Sequence, residues 1–171
     1  MQTENLIQMK QLFLIRHAKS DWANPMQSDF DRPLNERGER DASMMGKQLR
    51  ELNIHPDAII ASSARRTRQT AKRIAKALDF PKEKIQLQER FYHCESETFL
   101  NTINDIDDSL NTVFIIAHNP GITYFVNSLS PLFQIDNMPT CGVAGVRFDA
   151  GSWKEFTTAK KEVFLFEYPK K

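Results

Sequence analysis

Cysteine is scarce: Cys94 and Cys141 are the only two in 171 residues. They lie far apart, match no metal-ligand or redox spacing, and are too few for a disulfide framework. Free thiols in a reducing compartment are the expectation. Charge of one sign is also missing. The 23 Lys and Arg against 22 Asp and Glu leave a formal net charge of +1, so no overall field draws nucleic acid or an anionic membrane. No apolar run approaches the length of a membrane span. The opening MQTENLIQMK lacks a basic segment followed by an apolar one, the pattern of a secretory signal. Solenoid repeats and low-complexity tracts are absent as well. These absences predict a cytoplasmic protein that binds neither nucleic acid nor membrane.

What remains is an ordinary globular balance, 40% hydrophobic and 26% charged, in a chain long enough to bury its own core. A single domain over 1–171 is expected, with residues 1–10 as a polar lead-in. QLFLI (11–15) reads as a buried strand. A polar loop with Pro25, Asp29 and Asp31 follows. Asn35 then caps a helix carrying Ala42, Met45, Leu49 and Leu52. PDAIIASS (56–63) is a second strand, and Ser62 or Ser63 caps a helix with Thr67, Ala71, Ile74, Ala75 and Leu78 on one face, stopped by Pro81. KIQLQ (84–88) is a short strand. Ser96 caps a helix with Phe99, Leu100, Ile103 and Ile106. TVFIIA (112–117) is a fully apolar strand, and HNPGITYFVNSL turns into a helix with Pro120 at its first position. GVAGVRF and EVFLFEY are two closing strands, a hairpin or sheet edge. The alternation predicts an α/β class, a three-layer α/β/α sandwich around a central, mostly parallel sheet of about six strands.

In such sheets ligands gather at the carboxyl ends of the strands. Arg16 and His17 follow the first strand, Ser62 and Ser63 the second, and His118 the fourth. Arg66 and, from the first loop, Arg32 join them. Three guanidiniums and two imidazoles suit a phosphate dianion, because the planar fork matches phosphate oxygens and its charge does not titrate away. Arginines beside an imidazole discourage its protonation. A neutral His17 then has a ring nitrogen able to attack phosphorus and form a phosphohistidine, which water hydrolyses. The arginines and His118 stabilise the phosphoryl oxygens. A carboxylate near the leaving group serves as general acid and then base.

Three separated motifs carry a resemblance to the histidine phosphatase superfamily, which includes phosphoglycerate mutases and acid phosphatases. The first is RH plus a small residue, with Ala18 where that family usually has Gly. SSARRTRQTA resembles the Ser-x-x-x-Arg-Ala-x-x-Thr-Ala segment and assigns the arginine to Arg66, with Thr67 in place of Ala. IIAHNPGI resembles the segment that carries the second histidine and assigns His118. LIRHAKSDW, DFDRPLNERG and HNPG together look most like the small SixA-type phosphohistidine phosphatases, from about Gln11 to the end of the chain. That resemblance implies Arg32 as an extra phosphate ligand. It also implies the absence of a large helical insert over the pocket, and a phosphohistidine substrate on a phosphorelay or phosphocarrier domain. Glu89, just after the third strand, stands roughly where the mutase branch carries its acid. Glu95 and Glu97 are rivals, and SixA-like members often have no clear equivalent. Neither a cofactor nor a metal is implied.

The bland readings stand beside these. Arg32 pairing with Asp29 or Asp31 is an ordinary surface ion pair. His55 is a solvent-facing loop residue, and His93 a partly buried structural one. A metal site from His93, Cys94 and His118 fits no ligand spacing. The basic run Arg65, Arg66, Arg68, Lys72, Arg73 and Lys76 is more often a solvated face than a nucleic-acid helix. Rival functions are a small-molecule phosphomonoesterase, a phosphomutase of the same superfamily, and a non-catalytic phosphate- or nucleic-acid-binding module.

Overall fold

The computed structural model of the chain describes residues 9–170. The first eight residues of the expected lead-in lie outside them. The last two do not lead in at all: Met9 and Lys10 open the first strand, β1 (Met9–Arg16). Lys10 is fully buried. Its Nζ donates to the carbonyls of Asp108 (2.5 Å) and Leu110 (3.0 Å) and to Asn111 Oδ1 (3.0 Å), which satisfies the buried ammonium.

The elements then follow the expected alternation: α1 (Glu36–Glu51), β2 (Ala58–Ser62), α2 (Arg65–Ala77), β3 (Gln86–Gln88), α3 (Ser96–Asn104), β4 (Thr112–Ala117), α4 (Gly121–Ser128), β5 (Val143–Asp149) and β6 (Lys161–Glu167). The sheet runs β3-β2-β4-β1-β5-β6. β3, β2, β4 and β1 are mutually parallel, while β5 lies antiparallel on β1 and β6 antiparallel on β5. This is a phosphoglycerate mutase-like α/β fold with a six-stranded mixed sheet.

Side-chain alternation along the strands divides the core between the two faces of the sheet. Phe13, Ile15, Ile59, Ala61, Phe114 and Ile116 pack with Ala42, Met45 and Leu49 of α1 and Ala71, Ile74 and Ala75 of α2. Leu12, Leu14, Ile60 and Ile115 pack with Phe99 and Ile103 of α3, Ile122, Phe125 and Val126 of α4, and Trp153. Asn35 caps α1 as expected, its side chain accepting from Gly38 N at 2.8 Å.

The other caps differ from expectation. Ala64, not Ser62 or Ser63, is the N-cap of α2, and no side chain caps it. Ser62 is the last strand residue and its hydroxyl is spent on His118. Glu95 is the N-cap of α3, with Ser96 already helical. Pro120 is the N-cap of α4, one position earlier than expected. Leu52 is the C-cap of α1 and is exposed rather than on its inner face. α2 ends at Ala77, four residues before Pro81, and Asp79 between them takes a left-handed φ of 54°. Among the described residues no helix is long and apolar enough to cross a membrane.

Two glycines allow backbones to close on each other where the first turns of helices meet loops. A Cβ on Gly38 would stand 2.0 Å from the Lys19 carbonyl oxygen, and one on Gly121 would stand 2.2 Å from that of Cys94. Both obstacles are backbone, so neither can swing aside. Gly121→Ala is expected to lower unfolding free energy by about 1–3 kcal/mol, read as a reduced urea midpoint with unchanged slope. An unaltered midpoint would mean that α4 and the Cys94 loop separate without cost.

Candidate active site

The carboxyl ends of β1, β2 and β4 point to one edge of the sheet. Backbone hydrogen bonds hold the segment after β1 on three sides. His17 N donates to Ala117 O of β4 at 3.1 Å, and Cys141 N donates to His17 O at 3.0 Å. Ala18 N donates to Thr70 Oγ1 at 3.0 Å. Thr70 in turn donates to Arg66 O at 2.8 Å, so one hydroxyl ties the His17 loop to the first turns of α2. Ala18 is fully buried. Thr67 spends its hydroxyl on the Ser62 and Ala64 carbonyls, which accounts for a Thr at this place.

His17 is almost completely buried. Its Nδ1 lies 2.7 Å from Ala18 O. A carbonyl only accepts, so Nδ1 carries the proton and Nε2 keeps its lone pair. Arg66 Nε donates to that Nε2 at 3.3 Å. Burial pushes the imidazole down to about 3, against the Ala18 carbonyl, which favours the proton; Arg66, Arg16 and Arg32 push in the same direction as burial. The His118 ring lies 5.1 Å from that of His17. Its Nε2 is 2.8 Å from Ser62 Oγ, which also accepts from Ala64 N at 3.3 Å. With the Ser62 proton directed at Nε2, the neutral ring carries its own proton on Nδ1, a buried atom with no partner among the described residues. Burial first, then His17 and Arg66, pushes His118 down to about 2.

The arginines surround these rings. Arg16 donates from Nη1 to Met138 O at 2.7 Å. Burial and the proximity of Arg66 lower its pKa from the usual value. Arg66 is 5% exposed, which separates it from the neighbouring basic run: Arg65, Lys72 and Lys76 are exposed, and Arg73 pairs with Glu39 at 2.9 Å. Arg32 is buried rather than a surface residue. It donates to Ser20 Oγ, stacks its guanidinium 3.6 Å from the centre of the Trp22 ring, and pairs with Asp29 at 2.9 Å. The expected ion pair and the expected place beside the cluster both occur. Arg16 Nε, Arg32 Nε and His118 Nδ1 are buried without a partner. Three such orphans at one edge call for an acceptor that the described residues do not supply.

Two residues matter here that motif spacing did not single out. Asp29 accepts from Arg32 and Arg66 and from the Tyr92 hydroxyl (2.5 Å). Tyr92 sets its ring against His118, with centres 5.6 Å apart. Nothing in DFDRPL distinguishes Asp29 from Asp31, which merely accepts from Ser28 at 2.6 Å. Glu89 begins the short 3-10 turn after β3 and is exposed. Glu95 and Glu97 line a hollow of about 390 Å³ with Pro120 and Tyr124. His55 is exposed, and so is His93, which was expected to be partly buried because Cys94 and Tyr92 flank it. Among the described residues no three His, Cys, Asp or Glu side chains gather to hold a metal ion.

Burying two neutral imidazoles makes stability depend on pH. Both folded-state values lie below the ordinary 6.5. As pH falls through that value the unfolded chain takes up protons that the folded chain refuses, so stability is lost on acidification. Each ring should remove about 2 kcal/mol between pH 7.5 and 5.0. Urea unfolding of His17→Asn at the two pH values should show a smaller drop than the parent. An equal drop would mean that His17 takes up its proton in the folded chain.

The family model for the histidine phosphatase superfamily (branch 1) matches residues 12–99, the span that holds Arg16, His17, Arg32 and Arg66. An uncharacterised protein of Mycobacterium tuberculosis is 30% identical over 165 residues, covering 91% of this chain and all of that one. A solved structure of a candidate phosphohistidine phosphatase SixA from Agrobacterium tumefaciens superposes with a TM-score of 0.77 at 27% identity, over 94% of this chain and 99% of that one. The protein histidine phosphatase SixA complexed with tungstate shares the fold at 19% identity and a TM-score of 0.79, over 92% of this chain and 96% of that one. By the match over residues 12–99 and by its fold, the chain belongs to the histidine phosphatase superfamily, branch 1.

Proposed function

We propose that the protein is a metal-independent phosphatase that hydrolyses protein phosphohistidine through a phosphohistidine on His17. The observation that carries this reading is the His17 ring itself. Its Nδ1 proton is held on the Ala18 carbonyl, and its Nε2 lone pair faces Arg66 Nε at 3.3 Å.

Nε2 attacks phosphorus while the bond from phosphorus to the substrate nitrogen breaks. Arg16, Arg32 and Arg66 bind the equatorial oxygens, and His118 donates from Nδ1. The phosphorylated His17 ring is an imidazolium, because Nδ1 keeps its proton on Ala18. Water then adds to phosphorus, the Nε2–P bond breaks, and the electron pair returns to Nε2. The ring leaves neutral, and dihydrogen phosphate takes both water protons. Both half-reactions expel a ring nitrogen, so neither requires a strong acid from the protein. Glu89 remains the proposed donor for an ester substrate, where an oxygen must be protonated.

A protein substrate is supported by the openness of the rim. The β3-to-β4 connection holds a single 3-10 turn and the nine-residue α3, which packs its Phe99 and Ile103 into the core rather than over the site. Trp22 and Tyr124 stand 70% and 66% exposed. The similarity to the Agrobacterium SixA candidate points to the same substrate class.

His17→Ala should abolish hydrolysis while leaving circular dichroism unchanged. Brief incubation of the parent with labelled substrate should leave acid-labile phosphate on the protein, and EDTA should not slow turnover. Undiminished hydrolysis by His17→Ala overturns the mechanism. A panel of phosphohistidine protein, phosphoserine peptide and small esters ranks the substrates, and a small ester ranked first overturns the substrate class. Arg66→Lys keeps the charge but loses the fork, and kcat should fall about 100-fold.

A further inference from the structure

An anion-binding site gains from each cation and loses from an anion at its rim. Asp29 is such an anion. Its Oδ1 accepts from Arg32 Nη2 at 2.9 Å. Its Oδ2 accepts from Arg66 Nη2 at 3.1 Å and from the Tyr92 hydroxyl at 2.5 Å, and its main-chain carbonyl takes Arg66 Nη1 at 2.6 Å. The side chain is still 44% exposed. Arg66 therefore spans from carboxylate to nucleophile, with its Nη1–Nη2 edge on Asp29 and its Nε on His17 Nε2. A phosphoryl group beside Nε2 meets the Nε side of the guanidinium and leaves the Asp29 contacts intact. In-line displacement sends the leaving group away from His17, and Asp29, at the far edge of the Arg66 guanidinium, is a half-exposed carboxylate beside the cluster. Burial works against the Asp29 charge, but Tyr92, Arg32 and Arg66 outweigh it and hold the carboxyl well below the usual carboxylate range. Asp29 is thus a fixed negative charge rather than a proton donor.

The geometry points to Asp29 as a specificity-determining residue that favours a protonated nitrogen leaving group over an anionic oxygen. This rests on the phosphohistidine reading above and narrows it to the imidazolium form of the substrate. In that form the substrate ring carries a proton on the nitrogen not bonded to phosphorus. Asp29 accepts a hydrogen bond from this N–H. When the N–P bond breaks, the electron pair returns to the ring, which leaves neutral with no proton transfer. The oxygen of an activated ester such as p-nitrophenyl phosphate leaves with the same electron pair as an anion, without needing a proton donor, and Asp29 repels it.

The test compares N-phosphoimidazole with p-nitrophenyl phosphate in the parent and in Asp29→Asn, Asp29→Ser and Asp29→Glu. Any loss shared by the two substrates reports looser arginines and cancels in the ratio of their kcat/KM values. That ratio, phosphoimidazole over ester, should fall at least about ten-fold in both neutral variants and return most of the way in Asp29→Glu. A ratio within about two-fold of the parent's in the neutral variants overturns the role of Asp29 while leaving the phosphohistidine reading in place. A parent protein that cleaves the ester but not phosphoimidazole overturns both.

Discussion

The site depends on one hydrogen bond, from His17 Nδ1 to the carbonyl of the next residue, Ala18. A buried imidazole among guanidiniums has every reason to stay neutral, but neutrality alone does not choose which nitrogen keeps the proton. The carbonyl makes that choice and directs the lone pair of Nε2 toward Arg66. Much of the surrounding structure immobilises this short segment. β4 and the turn before β5 take its backbone, and Thr70 couples it to the helix that carries Arg66. Under the proposed mechanism, a ring fixed in this way has little reorganisation left to do in the transition state.

The charges around it are balanced rather than merely accumulated. Three arginines converge, yet one carboxylate bridges two of them, and an aromatic face covers a third contact through Trp22 and Arg32. Arginine tolerates this crowding because its charge is delocalised and weakly hydrated. Arg16 Nε, Arg32 Nε and His118 Nδ1 are buried with no partner among the described residues. Such a cluster costs stability, which the two hydrophobic layers of the sheet offset.

Much of the architecture was legible in the chain. The apolar runs at 12–15 and 113–116 are buried on both faces, and such runs occur where helices cover both sides of a sheet. The helical periodicity of Ala42, Met45 and Leu49 identified α1, and Asn35 its start. Serine caps were the weak inference. Ser62 sits at a strand end facing a histidine, and a hydroxyl with two possible uses follows the partner that tertiary structure brings near. Lys10 looked like a polar lead-in residue because its three carbonyl and amide acceptors come from residues about a hundred positions away.

The sequence alone determined the fold class and the strand ends at which Arg16, His17 and His118 stand, and the family motifs picked out Arg32 and Arg66 beside them. Strand periodicity and motif spacing are carried by neighbours in the chain. Only the tertiary structure decided the burial of Arg32 and the place of Asp29 and Tyr92 among the arginines. Those depend on hydrogen bonds between segments up to 63 residues apart. A loop aspartate has no periodicity to mark it, and its importance is set by what the fold places opposite it.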